Sequence, residues 1–137
     1  MGRLVMSLLI FSSKTGNTKT FADFIQKYIG VVVGDYNSNI TQHQKILIGA
    51  YTWGDGKIPK DLKQFLVNNK DNWKGKEVFI FGSGNSIYPK FCGAVDGIEK
   101  ILEDCGADII GTFKFEQRFN ERDYYMQDIV RLLIKLR

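Results

Sequence analysis

LVMSLLIFSSKTGNTKTFADFIQKYI, residues 4–29, is the stretch whose reading decides the fold. Leu4 to Phe11 is an apolar run that stops at Ser12-Ser13-Lys14-Thr15-Gly16-Asn17-Thr18, and Phe21, Phe24, Ile25, Tyr28 and Ile29 then recur at helical spacing. A run apolar on both alternating faces fits a strand covered on both sides, and a helix that follows through a short polar turn fits one unit of a parallel sheet. The run follows Arg3 but is short, has no small-residue cleavage site and leads into a polar turn, so a strand is expected rather than a leader. A chain starting at Met6 would still contain most of that strand, so Met6 is as good a natural start as Met1.

The alternation continues downstream. Further apolar runs span Val31 to Val33, Lys45 to Ala50, Glu77 to Gly82 and Asp108 to Phe115. Between them, Leu62, Phe65 and Leu66 follow Pro59 at helical spacing, and Phe91, Ala94, Val95, Ile98, Ile101, Leu102 and Cys105 form one stripe closed by Gly106. A last helix is expected after Asn120 with Tyr125, Ile129, Leu132, Leu133 and Leu136 inward; its acids come early and its bases late, as the helix dipole favours. The pattern predicts an α/β fold, a doubly wound, five-stranded parallel sheet forming one domain over residues 1–137. One connection is too short: Asn37 to Gln44 gives eight residues where a helical crossover needs about ten to twelve, so the second crossover helix is expected to be missing. Extended, those residues reach at most about 28 Å, enough to pass a neighbouring strand.

Composition excludes several classes. The 137 residues carry 19 Lys plus Arg against 15 Asp plus Glu, a net charge of +4, and 44% are apolar, which is ordinary for a globular chain. No apolar stretch approaches the roughly 18 residues of a membrane span, so no membrane association is expected. No basic stripe interleaved with aromatics is present, so nucleic acid is not an expected partner. Cys92 and Cys105 would stand about 20 Å apart on one helix, too far for a disulfide, and no Cys/His cluster suggests a metal; a reducing, cytoplasmic setting is expected. His43, the one histidine, and both cysteines are expected to be inert, solvated and core residues respectively.

In a doubly wound sheet, ligands bind beyond the carboxyl ends of the strands. After the first run, residues 12–18 bring four hydroxyls, an amide and a glycine to a helix start, an anion cradle that is neither GxxxxGK[ST] nor GxGxxG. Hydroxyls and amides without an arginine suit a terminal monophosphate. Tyr51-Thr52-Trp53-Gly54-Asp55-Gly56 follows the third run and Gly82-Ser83-Gly84-Asn85-Ser86-Ile87-Tyr88 the fourth, each pairing glycines with a large aromatic. Aromatics supply stacking faces and glycines allow close backbone approach, which together point to a planar ring with a phosphate tail.

Ser13-Lys14-Thr15-Gly16-Asn17-Thr18, Thr52-Trp53-Gly54-Asp55 and above all Gly82 to Asp96 (GSGNSIYPKFCGAVD) resemble the three flavin-contacting segments of flavodoxins, and the uninterrupted fifth strand resembles the short-chain group. The resemblance implies the flavodoxin-like strand order 2-1-3-4-5, taken over from the family, and FMN as cofactor. It implies that Ser13, Thr15, Asn17 and Thr18 hold the phosphate, with Lys14 and Gly16 in the same loop. Trp53 and Tyr88 would flank the ring, Tyr88 the more coplanar. The Gly54 peptide would turn on reduction to accept the proton at flavin N5, with Asp55 following it. Backbone of Gly84, Asn85 and Cys92 would line the pyrimidine rim, with Thr52, Gly82, Ser83 and Phe91 in the same segments. No side chain is then a catalytic acid, base or nucleophile.

The sequence also departs from the family. Flavodoxins are acidic whereas this chain is basic; Asn85 stands where many relatives have Asp; Lys14, Lys57, Lys60 and Lys90 sit in or beside the three loops against Asp55. Cations favour the anionic reduced flavin, so these lysines are expected to raise the potential of the second one-electron step relative to an acidic relative.

The implied function is a monomeric one-electron carrier between a reductase and an acceptor, not an enzyme with its own substrate; basic loops imply a partner with an acidic patch. An alternative is the flavodoxin-like activator of class Ib ribonucleotide reductase, which is similarly compact, although Trp53 and Tyr88 to Asp96 look like the electron carrier. Response-regulator receivers share the topology but need acids after the first strand, an Asp after the third and a Lys after the fifth, where Ser12 and Ser13, Tyr51 and Thr52, and Glu116 stand. For a quinone reductase, the sequence offers no extra segment to build a second substrate pocket.

Overall fold

Parallel pairing of five short strands organises the chain, in the order β2-β1-β3-β4-β5. The computed structural model describes residues 6–52, 56–88 and 90–137. Leu4 and Val5 at the start of the first expected strand, and Trp53, Gly54, Asp55 and Pro89, lie outside the described residues. The elements are β1 (Ser7–Phe11), α1 (Asn17–Tyr28), β2 (Val31–Val33), β3 (Lys45–Tyr51), α2 (Lys60–Asn68), β4 (Glu77–Gly84), α3 (Gly93–Asp104), β5 (Asp108–Glu116) and α4 (Met126–Leu136). The family-implied order and the five strands expected from periodicity are both observed.

The second connection holds only a 3-10 turn, Ile40–Gln42, capped by the Asn39 side chain. The hydroxyl of Ser38 accepts from the Asp35 N–H and the Asp35 carboxylate accepts from the Asn37 N–H, closing a tight turn after β2. Ile40, fully buried, and Tyr36, whose ring centroid is 5.7 Å from that of Phe65, cover sheet that a crossover helix would otherwise cover. Cover is incomplete: Val32, paired with Leu8, remains 42% exposed.

Two cores flank the sheet. One joins Leu8, Ile10, Ile46, Ile48, Val78 and Ile80 to α2 and α3, closed at the end of α2 by Trp73, whose indole N–H donates to the Leu66 carbonyl at 3.0 Å. The other is mainly phenylalanine. Phe21 of α1 lies with its centroid 4.9 Å from Phe81, 5.0 Å from Phe113 and 4.8 Å from Phe119, tying α1 to β4, β5 and the segment leading to α4. Each fully buried side chain of this size contributes about 1.5–3 kcal/mol.

Among the element boundaries that differ from the sequence expectation, three matter most. First, β4 continues through Gly84 because β5 pairs with it as far as Gly84↔Glu116, so Gly82 and Ser83 are strand rather than loop residues. Second, Phe91 and Cys92 precede α3: Cys92 has φ 51, a left-handed conformation that a helix interior excludes. Third, a 3-10 turn, Glu121–Asp123, comes before α4, and Tyr125 is its 77% exposed N-cap instead of an inward residue.

Candidate cofactor site

The carboxyl ends of β1, β3 and β4 converge at one end of the sheet. At β1, the Ser12 N–H donates to the Gly49 carbonyl at 2.9 Å, extending the ladder before the chain turns. The Ser13 hydroxyl accepts from the Gly16 N–H at 3.1 Å, and Gly16 takes φ 87, a conformation that favours glycine. This turn delivers the start of α1 with no side chain capping it and no acid in its first turn. Its leading N–H groups and positive dipole end are therefore directed to an outside anion.

A cavity of about 520 Å³ opens there, lined from this turn by Lys14, Thr15 and Asn17. From β3 and its loop come Tyr51, Thr52 and Gly56; from the β4 end come Ser83, Gly84, Asn85, Tyr88, Lys90 and Cys92; Gln117 closes the side beyond β5. The volume falls within the roughly 300–1,000 Å³ of small-molecule sites.

The β4 end is held in shape by its neighbours. The Asn85 carbonyl accepts from the Tyr88 N–H and its side-chain oxygen from the Ile87 N–H, each at 3.1 Å, while both Glu116 carboxylate oxygens lie 3.1 Å from the Ser86 N–H. The Thr52 hydroxyl accepts from the Ala94 N–H at 3.2 Å, joining the β3 loop to the start of α3. Tyr88, 61% exposed, stands at the rim as an accessible aromatic face. Gly84 has to be glycine: an added Cβ would lie 2.8 Å from Cys92 Sγ and 2.9 Å from Cys92 N. Burial pushes the Cys92 thiol up to about 11, so it is a neutral wall and not a nucleophile.

The sequence-expected residues divide by role. Lys14, Thr15, Asn17, Thr52, Ser83, Gly84, Asn85, Tyr88 and Cys92 line the cavity. Ser13 and Gly16 shape the turn instead, and Gly82 and Phe91 lie in β4 and ahead of α3, outside the lining. Thr18 is fully buried with its hydroxyl 2.9 Å from that of Ser83, so its side chain braces the site from below. Trp53, Gly54 and Asp55 are outside the described residues. Sequence reasoning missed Gln117, which has φ 52 and donates its N–H to the Gly84 carbonyl at 2.8 Å. A left-handed glutamine leaves no sequence signal. His43 is engaged structurally, its Nδ1 2.8 Å from the Met6 carbonyl.

A second cavity of about 990 Å³ adjoins the first, sharing Lys14, Tyr51 and Gly56 with it. No extra segment builds it; one wall is Tyr36 of the short second connection. Burial raises the Tyr36 hydroxyl above its ordinary value, with a hydrogen bond involving Ser12 working against that rise. Among the described residues no group of three His, Cys, Asp or Glu is placed to hold a metal, and no helix is long and apolar enough to cross a membrane.

Comparison with known proteins fits this geometry. Residues 9–127 match the family model described as Flavodoxin. The chain is 35% identical over 120 residues to a flavodoxin of Maridesulfovibrio salexigens, covering 77% of this chain and 81% of that one. It superposes on oxidised Flavodoxin 2 from Bacillus cereus with a TM-score of 0.79 and 29% identity, covering 96% and 97% of the two chains. It also has the fold of the Fusobacterium nucleatum flavodoxin solved bound to flavin mononucleotide, with a TM-score of 0.64 at 20% identity over 77% of this chain and 69% of that one.

Proposed function

The chain belongs to the flavodoxin family, and from that premise we propose that residues 1–137 act as one FMN-binding unit that carries single electrons between a reductase and an acceptor protein. The observation that carries the reading is the convergence, in one cavity, of an uncapped α1 N-terminus with the loop bearing Tyr88.

The residues fit FMN. A phosphomonoester suits the N–H groups of the first turn of α1 together with Thr15 and Asn17, and a flat ring suits the space beside Tyr88 that glycine at position 84 keeps open. When bound, FMN supplies the capacity to take up and release electrons one at a time. The chain's contribution is to hold and tune. Asn85 and Gly84 offer backbone groups at the ring edge, Glu116 fixes the loop that presents them, and Tyr88 shields one face. Trp53 and the Gly54 peptide are assigned the second face and the N5 proton on the strength of the family alone. Lys14 and Lys90 line the cavity, and positive charge there favours the more negative reduced state.

The matching relatives are flavodoxins, and the reading as an activator of class Ib ribonucleotide reductase is not favoured. The expected partners are redox proteins, the expected state a monomer and the expected setting the cytoplasm. The test is stepwise anaerobic reduction of the FMN-reconstituted protein followed in the visible. A long-wavelength band that accumulates and then decays is expected; bleaching in one two-electron step would overturn the carrier reading.

A further inference from the structure

The second cavity is built unlike the first. Its floor is Tyr36, Ile58, Pro59 and Ile101, and around it stand Lys57, Lys60 and Lys63, all exposed, with Asp61 the single acid among the described lining residues. Among the described residues none of these three lysines forms an ion pair. Lys57, Lys60 and Lys63 bring three positive charges to one groove against the single carboxylate of Asp61 among its described lining, and the apolar floor stays wet unless something covers it. Both penalties are relieved by an occupant carrying several negative charges and one apolar side chain.

A mobile small anion would meet only the lysines and leave the floor uncovered. A nucleic acid would find phosphate contacts, but a groove of this kind offers no long basic track. We propose that this groove docks an acidic segment of the partner protein, with carboxylates on Lys57, Lys60 and Lys63 and an aromatic or aliphatic side chain seated on Tyr36 and Ile58. The inference rests on the carrier reading for calling that partner a redox protein. Because the groove shares Lys14, Tyr51 and Gly56 with the cofactor cavity, a segment seated there brings the partner's body against the cofactor edge. Charge then selects the partner and steers its approach, while the apolar anchor fixes register.

The experiment uses FMN-loaded protein and two fluorescent probes, a heptapeptide of glutamates with a central phenylalanine and the same peptide with a central serine, read by anisotropy at low salt. The phenylalanine peptide is expected to bind about tenfold tighter, as burial of one such side chain allows. Lys57→Glu/Lys60→Glu/Lys63→Glu is expected to abolish binding. Lys70→Glu/Lys74→Glu/Arg122→Glu, which makes the same change in net charge away from the groove, is expected to weaken it only several-fold through long-range attraction. Equal loss in the two triple variants, equal affinity for the two peptides, or no binding to the parent protein would each overturn the docking proposal. Failure to take up FMN is seen separately in the flavin spectrum before peptide is added, and would count against the carrier reading instead.

Discussion

The Thr18 hydroxyl in the first turn of α1 lies 2.9 Å from the Ser83 hydroxyl on β4, and both residues are buried. The bond crosses from the helix that offers its N-terminus to the cavity to the strand that ends in the Tyr88 loop. Thr18→Val keeps the shape but strands the Ser83 hydroxyl, which is expected to cost about 1–3 kcal/mol. Adding Ser83→Ala to it removes the stranded partner and is expected to restore most of that loss. Urea unfolding of the two single variants and the double variant measures the coupling; strictly additive losses would contradict it.

Gly84→Ala tests the close approach of β4 to Cys92. With Cys92 Sγ at 2.8 Å and Cys92 N at 2.9 Å from the new methyl, the left-handed turn into α3 has to shift. We expect a stability loss of about 1–3 kcal/mol together with weaker FMN binding, read by unfolding and by flavin fluorescence titration.

The two thiols should behave differently. Cys105 is half-buried and Cys92 is 1% exposed, so a thiol reagent is expected to modify Cys105 in the native protein and Cys92 only on unfolding. The pKa of Cys92 is raised from 9.0 to about 11 in the folded state by burial, so the folded thiol holds its proton where the unfolded one loses it. Its stabilising contribution is therefore complete below about pH 9 and is lost as pH rises toward about 11. Urea midpoints of the parent and of Cys92→Ala, compared across that window, should converge as pH rises.

The basic rim should act on the potentials. One unit charge about 10 Å from the flavin in near-bulk dielectric is worth about 0.4 kcal/mol, so reversing Lys57, Lys60 and Lys90 together is expected to lower the second one-electron potential by tens of mV at low ionic strength. Redox titration measures it. An unchanged potential would mean that solvent screens these lysines completely.

Much of this fold was legible in the sequence because strand and helix periodicities are local. The five runs and the stripe from Ala94 to Leu102 correspond to observed elements, and the stretch Asn37 to Gln44 holds a 3-10 turn where a crossover helix was not expected. What was hidden depends on pairing between distant segments. The extension of β4 through Gly82 and Ser83 follows from its ladder with β5, and the left-handed Cys92 follows from the close passage of Gly84. Tyr125 fell on the apolar side of a helix expected directly after Asn120; the Asn120-capped turn delays α4 to Met126 and leaves Tyr125 as its N-cap. In the site, hydroxyl and glycine clusters marked the right loops but not the division of labour. Thr18 sits within the cradle motif yet spends its hydroxyl on Ser83, whereas Gln117, with no motif around it, closes the cavity.

The central claim is that FMN sits in the first cavity with its phosphate at the start of α1 and its ring beside Tyr88. The most direct measurement is an amide chemical-shift titration of the apoprotein with FMN. The largest changes are expected at Thr15, Asn17 and Thr18 and at Gly84, Asn85, Tyr88 and Gln117, with Lys60 and Lys63 at the second cavity little moved, and riboflavin, which lacks the phosphate, should leave the first set nearly still. Shifts centred on the second cavity, or identical maps for FMN and riboflavin, would contradict the account.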